Sequence, residues 1–181
     1  MVDTNRRKRL AYHLRQLSVG RITNDAYEEA VMDDISFGKL PEHYYRAKEA
    51  QFDDPIIRPM LELSWCLYGD SNQKLIGRHK LNDEQLKDIA RFILFLHSDL
   101  EYEWPYIDPL NPVIRLSFKE ILLTILTFGQ YNRQKRNERV QELEDLQSLE
   151  NYQYWPFIKK EQYENQLRKQ PFLNNNRIAN A

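Results

Sequence analysis

The sequence predicts an all-α fold, a single-domain irregular helical bundle of about six helices with one long charged helix, and three observations carry that expectation. Leucine, isoleucine and phenylalanine recur three and four residues apart over several stretches, which gathers them on one face of a helix. Asn82-x-x-Gln85 and Ser117-x-x-Glu120 have the capping-box pattern, in which the first side chain accepts from the third amide and the last reaches back. Gly20, Gly38, Gly69, Pro41, Pro55 and Pro59 punctuate the periodic stretches where helices are expected to begin or end.

The first helix is predicted over residues 6–18, where Leu10, Leu14 and Leu17 form a narrow apolar face that Gly20 terminates. Thr23, Asn24 and Asp25 offer side-chain oxygens to the unpaired amides of a second helix running to about Asp34. Together they make an αα-hairpin over residues 1–37, a semi-independent part of one helical domain spanning residues 1–173. Within it, Leu14-x-x-Leu17-x-x-Gly20-x-Ile22-Thr23-x-x-x-Tyr27-Glu28 resembles the short helical hairpin called SHOCT, over residues 14–28. That resemblance implies a local hairpin of a kind that often supports self-association in bacterial proteins.

Gly38 breaks the chain, and Pro41 suits the first turn of a third helix continuing to about Phe52, because its missing amide would have been unpaired there. Asp53-Asp54-Pro55 interrupts it. The next helix is expected from Pro59 to Tyr68 with Gly69 as its stop, and Met60, Leu61, Leu63, Trp65, Cys66 and Leu67 leave it apolar nearly all round, so it should be enclosed. Residues 71–81 read as a loop with one turn of structure. A central helix follows over residues 82–100, carrying Leu86, Ile89, Phe92, Ile93, Phe95 and Leu96 on more than one face.

From Ser117 a further helix opens with Phe118, Ile121, Leu122, Leu123, Ile125, Leu126 and Phe128, and then turns polar. Unbroken to about Leu149 it would be roughly 50 Å long. Its second half carries Arg133, Lys135, Arg136 and Arg139, then Glu142, Glu144, Asp145 and Glu150. Two segments echo each other: Trp104-Pro105-Tyr106-Ile107 and Trp155-Pro156-Phe157-Ile158. Proline forces the preceding tryptophan out of helical geometry, so each segment reads first as an aromatic plug closing the end of the core. Exposed, the same residues would form a docking surface. Residues 174–181 carry little that could pack and should fray.

Composition narrows the function classes. The chain has 26 Lys and Arg against 27 Asp and Glu, so no global field draws it to nucleic acid. Cys66 is the one cysteine and makes no disulfide within the chain, which fits a reducing, cytoplasmic location. The basic start, Arg6, Arg7, Lys8 and Arg9, leads into no sustained apolar region and so is not a secretory signal. The apolar runs at residues 89–96 and 121–128 fall short of the roughly 20 residues that cross a bilayer, so no membrane partner is expected.

Catalytic signatures are sparse. The five glycines have neither P-loop nor dinucleotide spacing, and no cofactor is implied. His13, His43, His79 and His97 show no paired-ligand spacing; the nearest metal candidates are His97 and Glu101, which share a face if their helix persists. Cys66 in an apolar helix reads as a small buried hydrophobe with a raised pKa. The expected function is therefore a small non-catalytic interaction or regulatory protein, of inhibitor or immunity type. It would bind a protein partner or itself through Trp104, Tyr106, Trp155, Phe157, Arg133, Arg136 and Arg139. One alternative is a nucleic-acid accessory protein using Arg6, Arg7, Lys8 and Arg9 together with the basic stretch at residues 133–139. A second is an enzyme without a recognisable motif. A plainer reading lets the first basic cluster face Asp25, Glu28, Glu29, Asp33 and Asp34.

Overall fold

The first helix, α1 (Thr4–Ser18), is the hub of the larger part of the molecule. In the computed structural model, which describes residues 1–39, 44, 52–105 and 118–170, its first turn is capped by the Asp3 side chain, which accepts from the Arg6 amide at 3.0 Å. Leu10, Ala11, Leu14 and Leu17 are buried along it. The helix stops where Gly20 takes a φ of 67°, a left-handed conformation that costs glycine nothing. A side chain would not fit there, because a Cβ on Gly20 would lie 2.3 Å from Ile76 Cγ2 and 3.2 Å from the Leu75 carbonyl oxygen.

Helix α2 (Asn24–Asp34) returns along α1 and completes the predicted hairpin, with Thr23 as its cap through a 3.3 Å bond from the Ala26 amide. Tyr27, Val31 and Ile35 go into the core. Asn24 does more than start a helix. Buried, it donates to the Gly69 and Ser71 carbonyls at 3.2 and 3.1 Å and accepts from the Gln73 amide at 2.7 Å, fastening the loop at residues 69–73.

Helix α3 (Ile57–Trp65) begins two residues before the expected Pro59, which is accommodated in the first turn because amides there lack intrahelical acceptors in any case. It also ends early, and Gly69 has no left-handed φ, so Gly69 is not the stop. Nor is the helix enclosed all round: Ile57, Met60, Leu61 and Ser64 are buried, Leu63 and Trp65 are half-buried, and Cys66, just beyond it, is exposed. The following loop holds one 3-10 turn, Gly77–His79, as expected.

Helix α4 (Asp83–Leu96) starts at the predicted capping box, with both bonds formed: Gln85 amide to Asn82 Oδ1 at 2.8 Å and Asn82 amide to Gln85 Oε1 at 3.0 Å. Ile89, Ile93, Leu94, Phe95 and Leu96 enter the core against α1. It terminates at Leu96, short of the expected Leu100. Near the end of the chain α7 (Lys160–Lys169) packs on α4.

Between these elements the expected single helix from Ser117 is broken in two. Helices α5 (Phe118–Leu126) and α6 (Gln130–Gln147) are joined through Phe128 and Gly129, whose φ angles are 49° and 84°. Left-handed residues cannot continue a right-handed helix, so the reach of roughly 50 Å is not attained. The predicted capping box begins at Ser117, outside the described residues, as do most of the expected third helix, the tail at residues 174–181 and Tyr106.

The fold is thus all-α, with seven α-helices among the described residues and one isolated bridge, Thr23 to Lys74, in place of strands. No helix among them is long and apolar enough to cross a membrane. Backbone contacts group the chain into two compact units. The first comprises Met1–Trp104 with Tyr154–Ala181, and contains α1 to α4 and α7; the second, Pro105–Gln153, contains α5 and α6.

Candidate functional site

Half of the basic start of α1 is internal. Arg7 has 0% exposure, and its guanidinium forms two bonds to Asp54, Nε to Oδ2 at 2.6 Å and Nη2 to Oδ1 at 2.9 Å. Its remaining nitrogen donates to the Leu100 carbonyl at 2.7 Å and the Ser98 carbonyl at 3.3 Å, over the Phe95 ring. Arg6 pairs with both oxygens of Asp53, donates to the Ile35 carbonyl at 2.9 Å and lies over the Phe37 ring. Tyr44 joins this group through its hydroxyl, which bonds Asp53. A buried guanidinium needs this full set of acceptors, since desolvating an unmatched charge is costly.

That arrangement corrects the expected nucleic-acid patch. Arg6 and Arg7 face inward, and only Lys8 and Arg9 of the four stay exposed. It also corrects the pairing of basic with acidic clusters. Asp34 does receive His13 Nε2 at 2.7 Å, but the principal partners of Arg6 and Arg7 are Asp53 and Asp54, residues that the sequence marks only as a helix break.

The metal candidates come apart for a simple reason. Because α4 ends at Leu96, His97 is the residue after its last turn and Glu101 does not share its face. His97 lies in a half-buried position where burial lowers its pKa, with Lys8 and Arg15 adding to the effect, and its backbone carbonyl accepts from Gln170 Nε2 at 3.3 Å. Glu101 is exposed. Among the described residues no three His, Cys, Asp or Glu side chains converge as metal ligands do. The Cys66 thiol is pushed up first by partial burial and then by Glu62, as expected of its pKa, although the residue itself is exposed rather than buried.

The two Trp-Pro segments form one aromatic cluster. Trp104 is buried and its indole donates to the Phe157 carbonyl at 3.2 Å; Phe157 is fully buried against Phe95, with ring centroids 5.0 Å apart. Trp155 stacks edge-on against Phe92 and Tyr102 and donates to the Tyr102 hydroxyl at 3.1 Å. Arg91 ties the segment to α4 through the Trp155 carbonyl at 2.6 Å. The plug reading therefore describes Trp104, Trp155 and Phe157, which are occupied within the first unit. These segments sit at the two points where the chain leaves the first unit and re-enters it.

The second unit has the opposite character. Among its described residues none is buried. Phe118, Ile121, Leu122, Leu123, Ile125 and Leu126 along α5 are exposed, and Phe128 at the turn is 97% exposed. Thr124 and Thr127 satisfy their hydroxyls on the Glu120 and Leu123 carbonyls, which leaves the face between them apolar. The chain turns back at Gly129. Tyr131 reaches Glu120 Oε1 at 3.3 Å and Lys135 comes within 3.9 Å of the same carboxylate. On a straight helix Lys135 and Glu120 would stand about 22 Å apart, beyond the reach of both side chains.

Helix α6 is charged and sided along its length. Arg133, Lys135, Arg136 and Arg139 occupy its first part with Glu138 among them, and Glu142, Glu144 and Asp145 its last. Arg133, Arg136 and Arg139 are exposed and make no ion pair with any described residue. The order opposes the helix dipole, which favours acids at the start and bases at the end. The α5 residues have the periodicity of a core helix, since periodicity reports a face that wants burial and not whether a partner surface exists in the same chain.

No protein-family model matches this chain, and comparisons with curated proteins and with solved structures returned no significant match.

Proposed function

We propose that this chain is a non-catalytic helical interaction protein whose binding element is the α5–α6 hairpin. The observation that carries the reading is the contrast between the two units. All the buried apolar side chains among the described residues lie in the first unit, where exposed ones such as Phe37, Phe52 and Ile76 are scattered, whereas α5 and its turn present seven to solvent within eleven residues. Each such side chain loses about 1.5–3 kcal/mol by remaining wet, so a contiguous set of them fits a surface that completes itself on another protein. The fitting partner is a protein face with an apolar strip and charges of both signs beside it, matching α5 and α6 respectively.

The nucleic-acid alternative draws less support, because two of its four N-terminal cations lie in buried ion pairs and the Arg133, Arg136 and Arg139 stretch is followed directly by acids. The binding reading is tested by hydrogen exchange of the α5 amides in the full chain, measured at high protein concentration and in concentrated host extract. Protection in either condition, lost in a Leu122→Glu/Ile125→Glu variant whose tryptophan fluorescence is unchanged, supports it. Fast exchange of α5 in both conditions refutes it.

A further inference from the structure

We infer that the outer face of α6 binds a second copy of the same chain, docked antiparallel on a two-fold axis passing by Val140. The inference goes beyond the reading of α5 as a binding surface and assigns a separate contact to the side of α6 turned away from it. Tyr131 and Lys135 mark the side of α6 that turns toward α5, since both reach Glu120. At 3.6 residues per turn Val140 lies about 180° around the helix from Tyr131, so it points away from α5, and it is 52% exposed. Arg136 and Glu144 stand four residues to either side of it, on the same face.

That face is self-complementary in one orientation. An antiparallel copy sharing an axis at Val140 sets each Val140 against its counterpart and places Arg136 opposite the partner's Glu144, twice by symmetry. Arg133 then comes opposite the partner's Gln147, which accepts its hydrogen bonds. A parallel copy would set Arg133 and Arg136 against their own equivalents, and like charges directly opposed are destabilising. The antiparallel arrangement also opposes the two helix dipoles. Charge order and the exposed valine at its centre thus select the same pairing.

The test is a charge swap read by sedimentation of the full-length chain over a concentration series. Wild type is expected to show a monomer–dimer equilibrium. Arg136→Glu alone, and Glu144→Arg alone, each place like charges together at both symmetric contacts and should weaken the dimer roughly tenfold or more. An equimolar mixture of the two variants restores both contacts and should recover the wild-type association. A wild type that stays monomeric throughout, swaps without effect, or a mixture that fails to recover would each overturn the pairing. Binding of monomer to anionic lipid vesicles in place of dimerisation would do so as well. If the dimer is absent while the α5 amides are still protected in host extract, the binding reading stands and only the self-pairing falls.

Discussion

The Arg7–Asp54 pair is where a single atom-scale change should cost the first unit most. Replacing Asp54 with Ala strands a guanidinium that is 0% exposed, and it also removes the acceptor of the Asp3 amide at 2.9 Å. Breaking a buried ion pair from one side costs about 3–5 kcal/mol, because the remaining charge stays desolvated without its counterion. That is a large part of a typical total stability of about 5–15 kcal/mol. For a chain of this size it corresponds to a fall of about 6–20 °C in Tm. The assay is urea unfolding followed by tryptophan fluorescence, since all 3 tryptophans, Trp65, Trp104 and Trp155, belong to the first unit and the signal reports on it alone. The companion variant Arg7→Met/Asp54→Ala removes both charges. Its loss should be smaller than the sum of the two single losses, by about 1–3 kcal/mol. A loss below about 1 kcal/mol for Asp54→Ala, or strict additivity in the cycle, would refute the claim that the pair is held as a desolvated unit.

Two further outcomes follow from the described geometry. His97 has a lowered pKa in the folded state, so between its ordinary value of 6.5 and that lower value the unfolded chain binds more protons than the folded one. Stability of the first unit should therefore decline as pH falls below about 6.5, and a His97→Gln variant should show a shallower decline in urea midpoint over the same range. Gly20→Ala should lose about 2–3 kcal/mol, from a left-handed φ combined with a Cβ pressed against Ile76 and the Leu75 carbonyl, whereas Gly129→Ala, with open space around it, should lose only the conformational part of about 1–2 kcal/mol. Chemical unfolding of each variant, with far-UV circular dichroism added for Gly129, measures the difference.

What the sequence discloses and what it hides divide along the range of the interaction. The Asn82–Gln85 box and the Thr23 cap are settled within three residues, so their bonds appear where the pattern places them. Leu10, Leu14 and Leu17 are buried because their helix has neighbours on that side. The Arg6 and Arg7 pairs join residues 47 positions apart, and nothing local in Asp53-Asp54-Pro55 distinguishes a buried counterion from a turn. Gly129 breaks a stretch whose apolar and charged flanks both favour helix, so the pattern alone runs the helix through it. The hairpin itself was the hardest to foresee. Its apolar residues have the periodicity of a core, and only the fold reveals that no described residue of the second unit is buried.

The indole of Trp104 donating to the Phe157 carbonyl has a broader consequence for how this molecule can change. With the Trp155–Tyr102 bond beside it, this contact fastens the chain where it departs to where it comes home, so the stretch between is tethered at both ends to the same spot. The closure entropy of that stretch varies logarithmically with its length, about 0.6 kcal/mol per doubling. Insertions between Trp104 and Phe157 are therefore expected to cost the first unit little through chain closure.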